Sequence, residues 1–381
     1  MGLYWLKKKT ILFISGTRAD FGKLKPLINV VKKSSRLDYN IFITGMHMID
    51  KYGKTINEVY KSGFQNVIPF KNSREDEEIG MDLALANTVT GLNKVIVNNP
   101  PDIIIIHGDR LEALAGAIVG SFNNILVGHI EGGEVSGTID ELIRHSVSKL
   151  SHIHFVSNEI AKKRLLKMGE NEKSIFITGS PDIDIMLSDK LPKIEEVMTY
   201  YDINFESYSV FCYHPVTTEI DSINVKIESV INALVKSQKK YVIILPNNDI
   251  GSDIIIKKYD SISANINFRI LPSLRFEFYL TLLKNADLII GNSSAGIREA
   301  PVFGVPTINI GTRQNNRFEF HSITNVSEDE KKILDAISFP PKVFNNSLHF
   351  GEGNSAKKFI DILKNNETWK TPMQKYFNDH D

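Results

Sequence analysis

Short apolar runs rich in Ile and Val alternate along the chain with longer amphipathic stretches. In the first half we predict strands at Ile11–Ser15, Tyr39–Thr44, Asp102–Ile106, Ile125–Val127, Ile153–Val156 and Ile175–Thr178. The pattern then restarts, and we predict strands at Val210–Tyr213, Tyr241–Leu245, Leu288–Ile290 and Thr307–Ile310. Continuous apolar strands separated by helices are typical of parallel sheets that are covered on both faces.

We predict an α/β protein built from two doubly wound domains, because these strands are too many for one sheet. The segment Pro181–Glu206 has weak strand character and a charged stretch, so we place a linker at residues 185–206. Residues 1–184 and 207–366 then form two Rossmann-like domains. A closed eight-stranded barrel is the alternative fold, which the strand count and the mid-chain gap disfavour.

Composition and charge disfavour several classes of partner and site. The 381 residues carry 45 basic and 45 acidic side chains, and this zero net charge disfavours a nucleic-acid partner, which would favour a basic excess. No apolar run approaches the roughly 18–20 residues of a membrane helix, and the N-terminal lysines do not precede a signal-peptide run. We therefore expect a cytoplasmic protein with no membrane partner. Cys212 is the only cysteine, which excludes an intramolecular disulfide and a cysteine-rich zinc site.

Polar residues cluster where the predicted strands end, which is where ligands bind in open parallel sheets. The first cluster, Gly16–Lys23, is a glycine turn between a strand and a helix. Its backbone N–H groups, together with Arg18 and Lys23, suit an anion. The segment matches neither a Walker loop nor G-x-G-x-x-G, so it predicts neither ATP nor NAD. The alternative is a capped helix with solvated basic residues.

Two acidic residues, each close to a glycine, follow later strands. Asp109 and Glu131 are about one strand–helix–strand unit apart, so both should lie just past strand ends. Two carboxylates in one cleft can serve as base and acid, whereas either residue alone could be a helix cap or an ion-pair partner. Asp140 lies four residues before Arg144 on the same helix face. By pattern alone, its negative charge complements the positive partial charge at the start of that helix.

The second half carries its own polar residues at strand ends. His214 follows a predicted strand, and a histidine there suits proton transfer or a contact to phosphate. Ser293 and Ser294 begin the predicted helix Ala295–Phe303 and suit a phosphate cradle, with an ordinary serine cap as the alternative. Glu299 could accept hydrogen bonds from ribose, and Arg313 could pair with a phosphate. These residues suit a two-domain enzyme that acts on a nucleotide sugar.

At these residues the sequence resembles the hydrolysing UDP-N-acetylglucosamine 2-epimerases, which make N-acetylmannosamine for sialic acid synthesis in bacteria. The resembling segments are Gly16–Leu27, Thr44–His47, His107–Ala115, His129–His145, Lys149–His154, His214–Glu219, Pro246–Asp249, Gly291–Pro301 and Gly311–Gln314. They follow in order over nearly the whole chain, which makes the match specific.

The resemblance implies a GT-B-like fold, with the active site in the cleft between two Rossmann-like domains. Residues 367–381 would return to pack on the first domain. The family reaction eliminates UDP across C1–C2 to give 2-acetamidoglucal, and water then adds to the double bond. The resemblance implies a UDP-sugar substrate and no metal or nicotinamide cofactor. Family members are commonly dimers or tetramers, so we expect a homodimer or a homotetramer.

The resemblance also implies roles for single residues. Asp109, Glu131 and Asp140 match the catalytic carboxylates, with base and acid left unassigned, and His214 matches a histidine near the diphosphate. The predicted contacts to substrate and nucleotide are Arg18, Lys23, Arg110, Asn247, Ser293, Ser294, Glu299 and Arg313. A C2 proton is weakly acidic, so the leaving diphosphate must be stabilised while a positioned base acts.

Related activities share these motifs. The segments His129–Glu134 and Ser136–Asp140 resemble the hydrolysing branch of the family. Enzymes of the legionaminic acid route act instead on a UDP- or GDP-linked 2,4-diacetamido-2,4,6-trideoxy sugar, and Ala295–Pro301 resembles the sialic acid branch more. A GT-B glycosyltransferase, which would need an acceptor site, and a nucleotide-sugar-binding regulatory protein are the remaining hypotheses.

Overall fold

The computed structural model describes residues 8–50, 53–73, 79–136, 139–246, 249–341 and 345–379. The chain divides into two units, each built around its own sheet. The first unit comprises Met1–Glu134, Asp140–Ser188 and His349–Asp381. The second unit comprises Val135–Ile139 and Asp189–Leu348.

Strands and helices alternate from the start of the first unit. The elements are β1 (Lys9–Ser15), α1 (Arg18–Lys32), β2 (Leu37–Ile43), α2 (Ile56–Lys61), β3 (Val67–Pro69), α3 (Met81–Asn98), β4 (Ile103–His107), α4 (Leu111–Phe122), β5 (Leu126–Ile130), α5 (Ile139–Leu150), β6 (Ile153–Val156), α6 (Glu159–Lys167), β7 (Ile175–Ile177) and α7 (Pro181–Met186). Short 3-10 helices cover Gly45–Met48 and Glu172–Ser174. The strands pair in parallel in the order β3-β2-β1-β4-β5-β6-β7.

The central strands of this sheet are buried on both faces. Along β1, Ile11 and Phe13 pack against α1 and α15 (Ser355–Lys364), whereas Leu12 and Ile14 pack towards α3 and α4. This alternation follows from the period of two along a strand. Gly116 lets α4 approach closely, because a Cβ there would lie 2.5 Å from the Ile14 Cδ1 atom.

The second unit repeats the alternation. Its elements are α8 (Ile194–Tyr200), β8 (Ser209–Cys212), α9 (Ile223–Ser237), β9 (Tyr241–Ile244), α10 (Ser252–Ile262), β10 (Phe268–Leu271), α11 (Phe276–Lys284), β11 (Ile289–Gly291), α12 (Ala295–Arg298), α13 (Ala300–Phe303), β12 (Thr307–Ile310), β13 (Ile323–Val326) and α14 (Glu330–Ser338). A short 3-10 helix covers Thr217–Ser222. Another, Asn366–Lys370, follows α15 and belongs to the first unit. The strands pair in parallel in the order β10-β9-β8-β11-β12-β13.

The predicted parallel, doubly wound α/β organisation is confirmed. The predicted single helix Ala295–Phe303 is wrong, because the structure divides it at Glu299 into α12 and α13. Pro301 has no N–H group and cannot continue the hydrogen-bond ladder of α12. The pattern also missed β3, β10 and β13, which are edge strands with partly exposed side chains and therefore no continuous apolar run.

Both sheets reverse their strand order at one point. In the first sheet the reversal lies between β1 and β4, and in the second it lies between β8 and β11. The loops beyond the carboxyl ends of such neighbouring strands leave a crevice where α/β proteins bind ligands. Among the described residues, no helix combines the length and the apolar character needed to cross a membrane.

Candidate active site

A buried row of charged side chains lies at the strand reversal of the first unit. Asp20 lies in the first turn of α1, and His107 is the last residue of β4. The His107 Nδ1 atom lies 2.8 Å from Asp20 Oδ1, and its Nε2 atom lies 3.1 Å from Glu131 Oε2. The imidazole thus bridges a carboxylate from α1 and a carboxylate that follows β5.

The histidine of this row is a cation at neutral pH. Burial alone would lower the pKa of His107, but the charges and hydrogen bonds of Glu131 and Asp20 outweigh it and raise the pKa to about 9. Both ring nitrogens then carry a proton and donate, one to each carboxylate.

The second oxygen of Glu131 is bound from two further elements. Lys23 of α1 places its Nζ atom 3.4 Å from Glu131 Oε1 and 3.1 Å from Asp182 Oδ2 of α7. The Ser180 hydroxyl, just before α7, donates to the same Glu131 oxygen. Glu131 is therefore a strongly restrained carboxylate, held from three sides.

Arg144 links Asp109 and Glu131, the two predicted catalytic residues that follow neighbouring strands β4 and β5. Its Nη2 atom donates to the Asp109 carboxylate, and its Nη1 atom donates to the Glu131 carbonyl oxygen over 2.9 Å. The Asp109 side chain is 21% exposed, whereas that of Glu131 is 4% exposed. Asp140 opens the same helix, α5, one turn before Arg144. Of Asp109 and Glu131, Asp109 therefore has the more accessible side chain.

The backbone at these strand ends is held in left-handed turns. Gly108 has φ +70° and Glu131 has φ +62°, which is uncommon for a residue with a side chain. The His129 ring ties this region to α5, because its Nε2 atom lies 2.8 Å from the Gly108 carbonyl oxygen and its Nδ1 atom 3.1 Å from the Ser148 hydroxyl. Burial, the largest effect, lowers the pKa of His129 to about 3, so the ring stays neutral and Nε2–H donates to the carbonyl.

The first glycine turn, which the sequence predicts as an anion site, lies beside two carboxylates. A Cβ on Gly16 would lie 2.4 Å from the Cδ atom of Glu112, and the Gly16 amide lies 3.4 Å from Asp20 Oδ2. The chain's own carboxylates therefore approach this turn. Arg18 begins α1, and Arg110, the residue before α4, places its Nε atom 3.9 Å from Glu112 Oε2.

At the strand reversal of the second unit, Asn292 connects three loops. The His214 amide donates to Asn292 Oδ1 over 2.7 Å, and Asn292 Nδ2 donates to the His214 carbonyl over 2.8 Å. The Asn292 carbonyl accepts from Arg313 Nη1 at 3.3 Å and from Gln314 Nε2 at 2.8 Å. His214 and Arg313, which follow β8 and β12, are therefore positioned through the residue that follows β11.

Two glycines near the predicted serines are required for packing within the protein. Gly291 has φ +129°, and a Cβ there would lie 1.9 Å from the Cys212 carbonyl oxygen. A Cβ on Gly296 would lie 2.7 Å from Thr307 Cγ2, so this glycine allows α12 to pack on β12. Both glycines are therefore required by contacts within the second unit.

The remaining predicted residues of the second unit lie around α12. The Ser293 hydroxyl accepts from the Ala295 amide at 3.3 Å, and Ser294 is the residue before α12. The four residues of α12 form a short helix, so its dipole is small. Glu299 is buried between α12 and α13. Asn247 lies outside the described residues.

The sequence reasoning missed several members of these networks. Ser180, Asp182 and Asn292 each contact a predicted residue. Asp20 and Gln314 join the networks through His107 and Asn292. Their shared signal is a position within a few residues of a strand end, but only the pairing of strands far apart in the chain shows which of them meet. Within the described ranges, no three or more His, Cys, Asp or Glu side chains form a group that could hold a metal ion.

Comparison with known proteins identifies the family. The family model described as UDP-N-acetylglucosamine 2-epimerase matches residues 29–364. The chain belongs to this family. The chain is also similar to a protein of Neisseria meningitidis named UDP-N-acetylglucosamine 2-epimerase, with 46% identity over 97% of this chain and 99% of the relative.

Two further relatives have more specific names. A Legionella pneumophila protein named UDP-N,N'-diacetylbacillosamine 2-epimerase (hydrolyzing) is 34% identical over 93% of this chain and 96% of its own length. An Escherichia coli protein named polysialic acid biosynthesis protein P7 is 33% identical over 87% of this chain and 85% of its own. As a family member, the chain is a nucleotide-sugar 2-epimerase.

The fold has solved counterparts. A crystal structure of the UDP-GlcNAc 2-epimerase of Methanocaldococcus jannaschii, in complex with UDP-GlcNAc and UDP, matches with a TM-score of 0.80 and 23% identity. The match covers 93% of this chain and 99% of that structure. The predicted GT-B-like class of two Rossmann-like domains is confirmed, and the catalytic and binding roles of the single residues stay predictions.

Proposed function

We propose that this epimerase is the hydrolysing type, which converts UDP-N-acetylglucosamine and water into N-acetylmannosamine and UDP for sialic acid synthesis. The relative with 46% identity is named a UDP-N-acetylglucosamine 2-epimerase, and relatives at 34% and 33% are named as hydrolyzing and as a polysialic acid biosynthesis protein. These names support both the hydrolytic outcome and the pathway.

The carboxylates of the first unit suit the proton transfers of this reaction. In the elimination step a carboxylate takes the C2 proton, the C2–H electron pair forms the C1=C2 bond, and the C1–O bond breaks to release UDP. In the hydration step the C1=C2 electron pair takes a proton at C2 from the face opposite to that of the proton removed. The water oxygen bonds to C1 and gives up its proton to a carboxylate. Two positioned acid–base groups are needed, and Asp109 and Glu131, joined by Arg144, are the pair that carries the proposal.

The two carboxylates have different surroundings. Glu131 is enclosed by His107, Lys23 and Ser180, whereas Asp109 keeps a partly exposed side chain beside Arg144. We propose that this asymmetry separates their roles in the two steps, with Asp140 one helical turn from Arg144 as the third member.

The second unit supplies groups that suit the leaving diphosphate. Arg313 is a cation that donates to the Asn292 carbonyl, and the Asn292 side chain accepts from the His214 amide. Positive charge and N–H donors at the bridging oxygens stabilise the charge that develops as the C1–O bond breaks. We propose Arg313, His214, Ser293 and Ser294 for this role.

A proton NMR time course in heavy water, with UDP-N-acetylglucosamine as the sole substrate, tests the proposal. Free UDP together with N-acetylmannosamine that carries deuterium at C2 is the expected result. UDP-N-acetylmannosamine as the only product would instead indicate the non-hydrolysing reaction and would refute the hydrolytic step. A reaction that needs an acceptor sugar would indicate a glycosyltransferase.

The second candidate substrate is a UDP- or GDP-linked 2,4-diacetamido-2,4,6-trideoxyglucose. It is favoured by the relative named UDP-N,N'-diacetylbacillosamine 2-epimerase (hydrolyzing), which is 34% identical to this chain. The same time course with this sugar on each carrier, compared at equal enzyme concentration, decides between the two. A higher kcat/KM on the diacetamido sugar would replace the primary substrate assignment and leave the chemistry unchanged.

A further inference from the structure

The C-terminal tail of the chain is attached to the carboxyl end of α5. The Lys375 Nζ atom donates to the carbonyl oxygens of Ser148, at 3.3 Å, and Lys149, at 2.8 Å, and also to that of Ser151. The last carbonyl groups of a helix lack partners within the helix and carry partial negative charge, so a cation there is favourable. Lys375 thus closes the end of α5 with three backbone bonds.

A buried carboxylate fixes this lysine. Glu170, which is 1% exposed, accepts from Lys375 Nζ at 2.6 Å, from His154 Nε2 at 2.9 Å and from Lys149 Nζ at 2.7 Å. Burial, the largest effect, lowers the pKa of His154, so the ring is neutral and donates its Nε2–H. Burial would raise the pKa of Glu170, but these partners lower it to about 2, so it remains an anion.

Polar bonds dominate the attachment of residues 373–378, which follow the core-packed Trp369. His152 accepts the Val127 amide at Nδ1, so its Nε2–H donates to the Met373 carbonyl, 3.1 Å away. The Asn378 amide donates to the Gly169 carbonyl over 3.1 Å. Tyr376 and Phe377 are 76% and 66% exposed, so they contribute little apolar burial. Removing the Lys375 charge should therefore loosen the tail and the end of α5 together.

The opposite half of α5 holds the strand ends that carry Asp109 and Glu131. Arg144 binds the Asp109 carboxylate and the Glu131 carbonyl. Ser148, one turn further along, contacts His129, which in turn binds the Gly108 carbonyl beside Asp109. The Ser148 hydroxyl thus contacts His129, and the Ser148 carbonyl accepts from Lys375.

We propose that Lys375 is a positioning residue for the epimerase reaction, which fixes the carboxyl end of α5 and thereby the placement of Asp109 and Glu131 through Arg144 and Ser148. The proposal rests on the proposed function for its catalytic consequence. A displacement of a catalytic group by about 1 Å can reduce a rate by roughly a hundredfold. A loosened helix end, with its other bonds intact, should have a smaller effect.

The test compares Lys375→Met with Lys370→Met. Lys370 belongs to the same tail, and its ion pair with Glu367 lies at the surface. We expect Lys375→Met to lower kcat about tenfold, with the KM and the Kd of UDP changed less than twofold, because the groups proposed to bind the leaving diphosphate lie in the second unit. Lys375→Arg, which keeps the charge and the donors, should recover most of the kcat, and Lys370→Met should match the wild type.

Hydrogen–deuterium exchange provides a readout that does not need turnover. In Lys375→Met we expect faster exchange in α5 and in the turns at Gly108–Arg110 and Glu131–Glu134, with the strands of the second unit unchanged. Faster exchange confined to the tail would overturn the proposal. An unchanged kcat, or a parallel loss of kcat, UDP affinity and Tm, would also overturn it, because the effect would then be absent or global.

Two further outcomes remain decisive. If the wild type releases neither UDP nor GDP from the three nucleotide sugars, the proposed function fails, and the exchange pattern alone decides whether Lys375 positions the turn at Asp109. If Lys375→Met does not yield folded protein, Lys375→Gln is measured in the same way. The results expected for Lys375→Gln, and those that would refute the proposal, are the same as for Lys375→Met, because glutamine also lacks the positive charge.

Discussion

Replacing His107 with Gln removes the cation that lies between Asp20 and Glu131. Folding raises the pKa of this histidine from 6.5 to about 9, because the two carboxylates outweigh its burial. The folded state therefore binds the proton more tightly than the unfolded state. The corresponding stabilisation is fully present below about pH 6.5 and is lost as the pH rises through about 9. At about 1.4 kcal/mol for each pKa unit, it amounts to about 3 kcal/mol.

The assay follows unfolding of the first unit by urea between pH 6 and pH 10. Trp369 packs on the core of this unit, so its fluorescence in a Trp5→Phe background reports the transition. The wild type should lose about 3 kcal/mol more than His107→Gln over this range. His145→Gln, which changes a half-exposed histidine of α5, is the matched control and should follow the wild type.

Two results would contradict this reasoning. Parallel pH dependences for the wild type and His107→Gln would mean that folding does not raise the pKa of His107. A ring carbon resonance assigned to His107 by its absence from the variant, and titrating near pH 6.5, would give the same answer directly. Either result would leave Glu131 without the cation that the structure gives it.

Four further substitutions test other parts of the structure. Asp109→Asn and Glu131→Gln should each lower kcat by at least a hundredfold with UDP affinity retained, and normal turnover in both would remove the carboxylate assignment. Arg313→Ala should weaken UDP binding about tenfold in calorimetry, because a charge-assisted bond to phosphate is lost; an unchanged Kd would reject that contact. Gly291→Ala should destabilise the second unit by more than about 2 kcal/mol, because its Cβ would lie 1.9 Å from a backbone carbonyl. Gly108→Ala, also at positive φ but with no heavy atom within 4 Å of its Cβ, is the control and should cost less; equal losses would show that φ alone matters.

The apolar pattern predicted the central strands well because those strands are buried on both faces. Runs such as Ile103–Ile106 have no exposed position, so they are unmistakable in the sequence. The missed strands, β3, β10 and β13, lie at sheet edges and have mixed exposure. A short edge strand forms its sheet hydrogen bonds with one adjacent strand, and the sequence alone does not identify that strand.

The sequence also indicated where the site residues would lie, although not how they would be connected. Asp109 and Glu131 could be predicted at strand ends, since both follow apolar runs and adjoin glycines. Their common partner, Arg144, could be related only to Asp140 by helical spacing. That it reaches the Asp109 carboxylate and the Glu131 backbone carbonyl depends on where α5 packs relative to β4 and β5.

The sequence by itself determined the fold class, the family and the strand ends at which polar residues gather, because each of these depends on local order along the chain. The tertiary structure decided the sheet order and therefore which loops meet. It brought Asp20 of α1 to His107 of β4, and Lys23 to Glu131. It also joined Lys375 near the C-terminus to α5. Local patterns carry no information on such pairings, since the energies that select them arise only when distant segments are buried together.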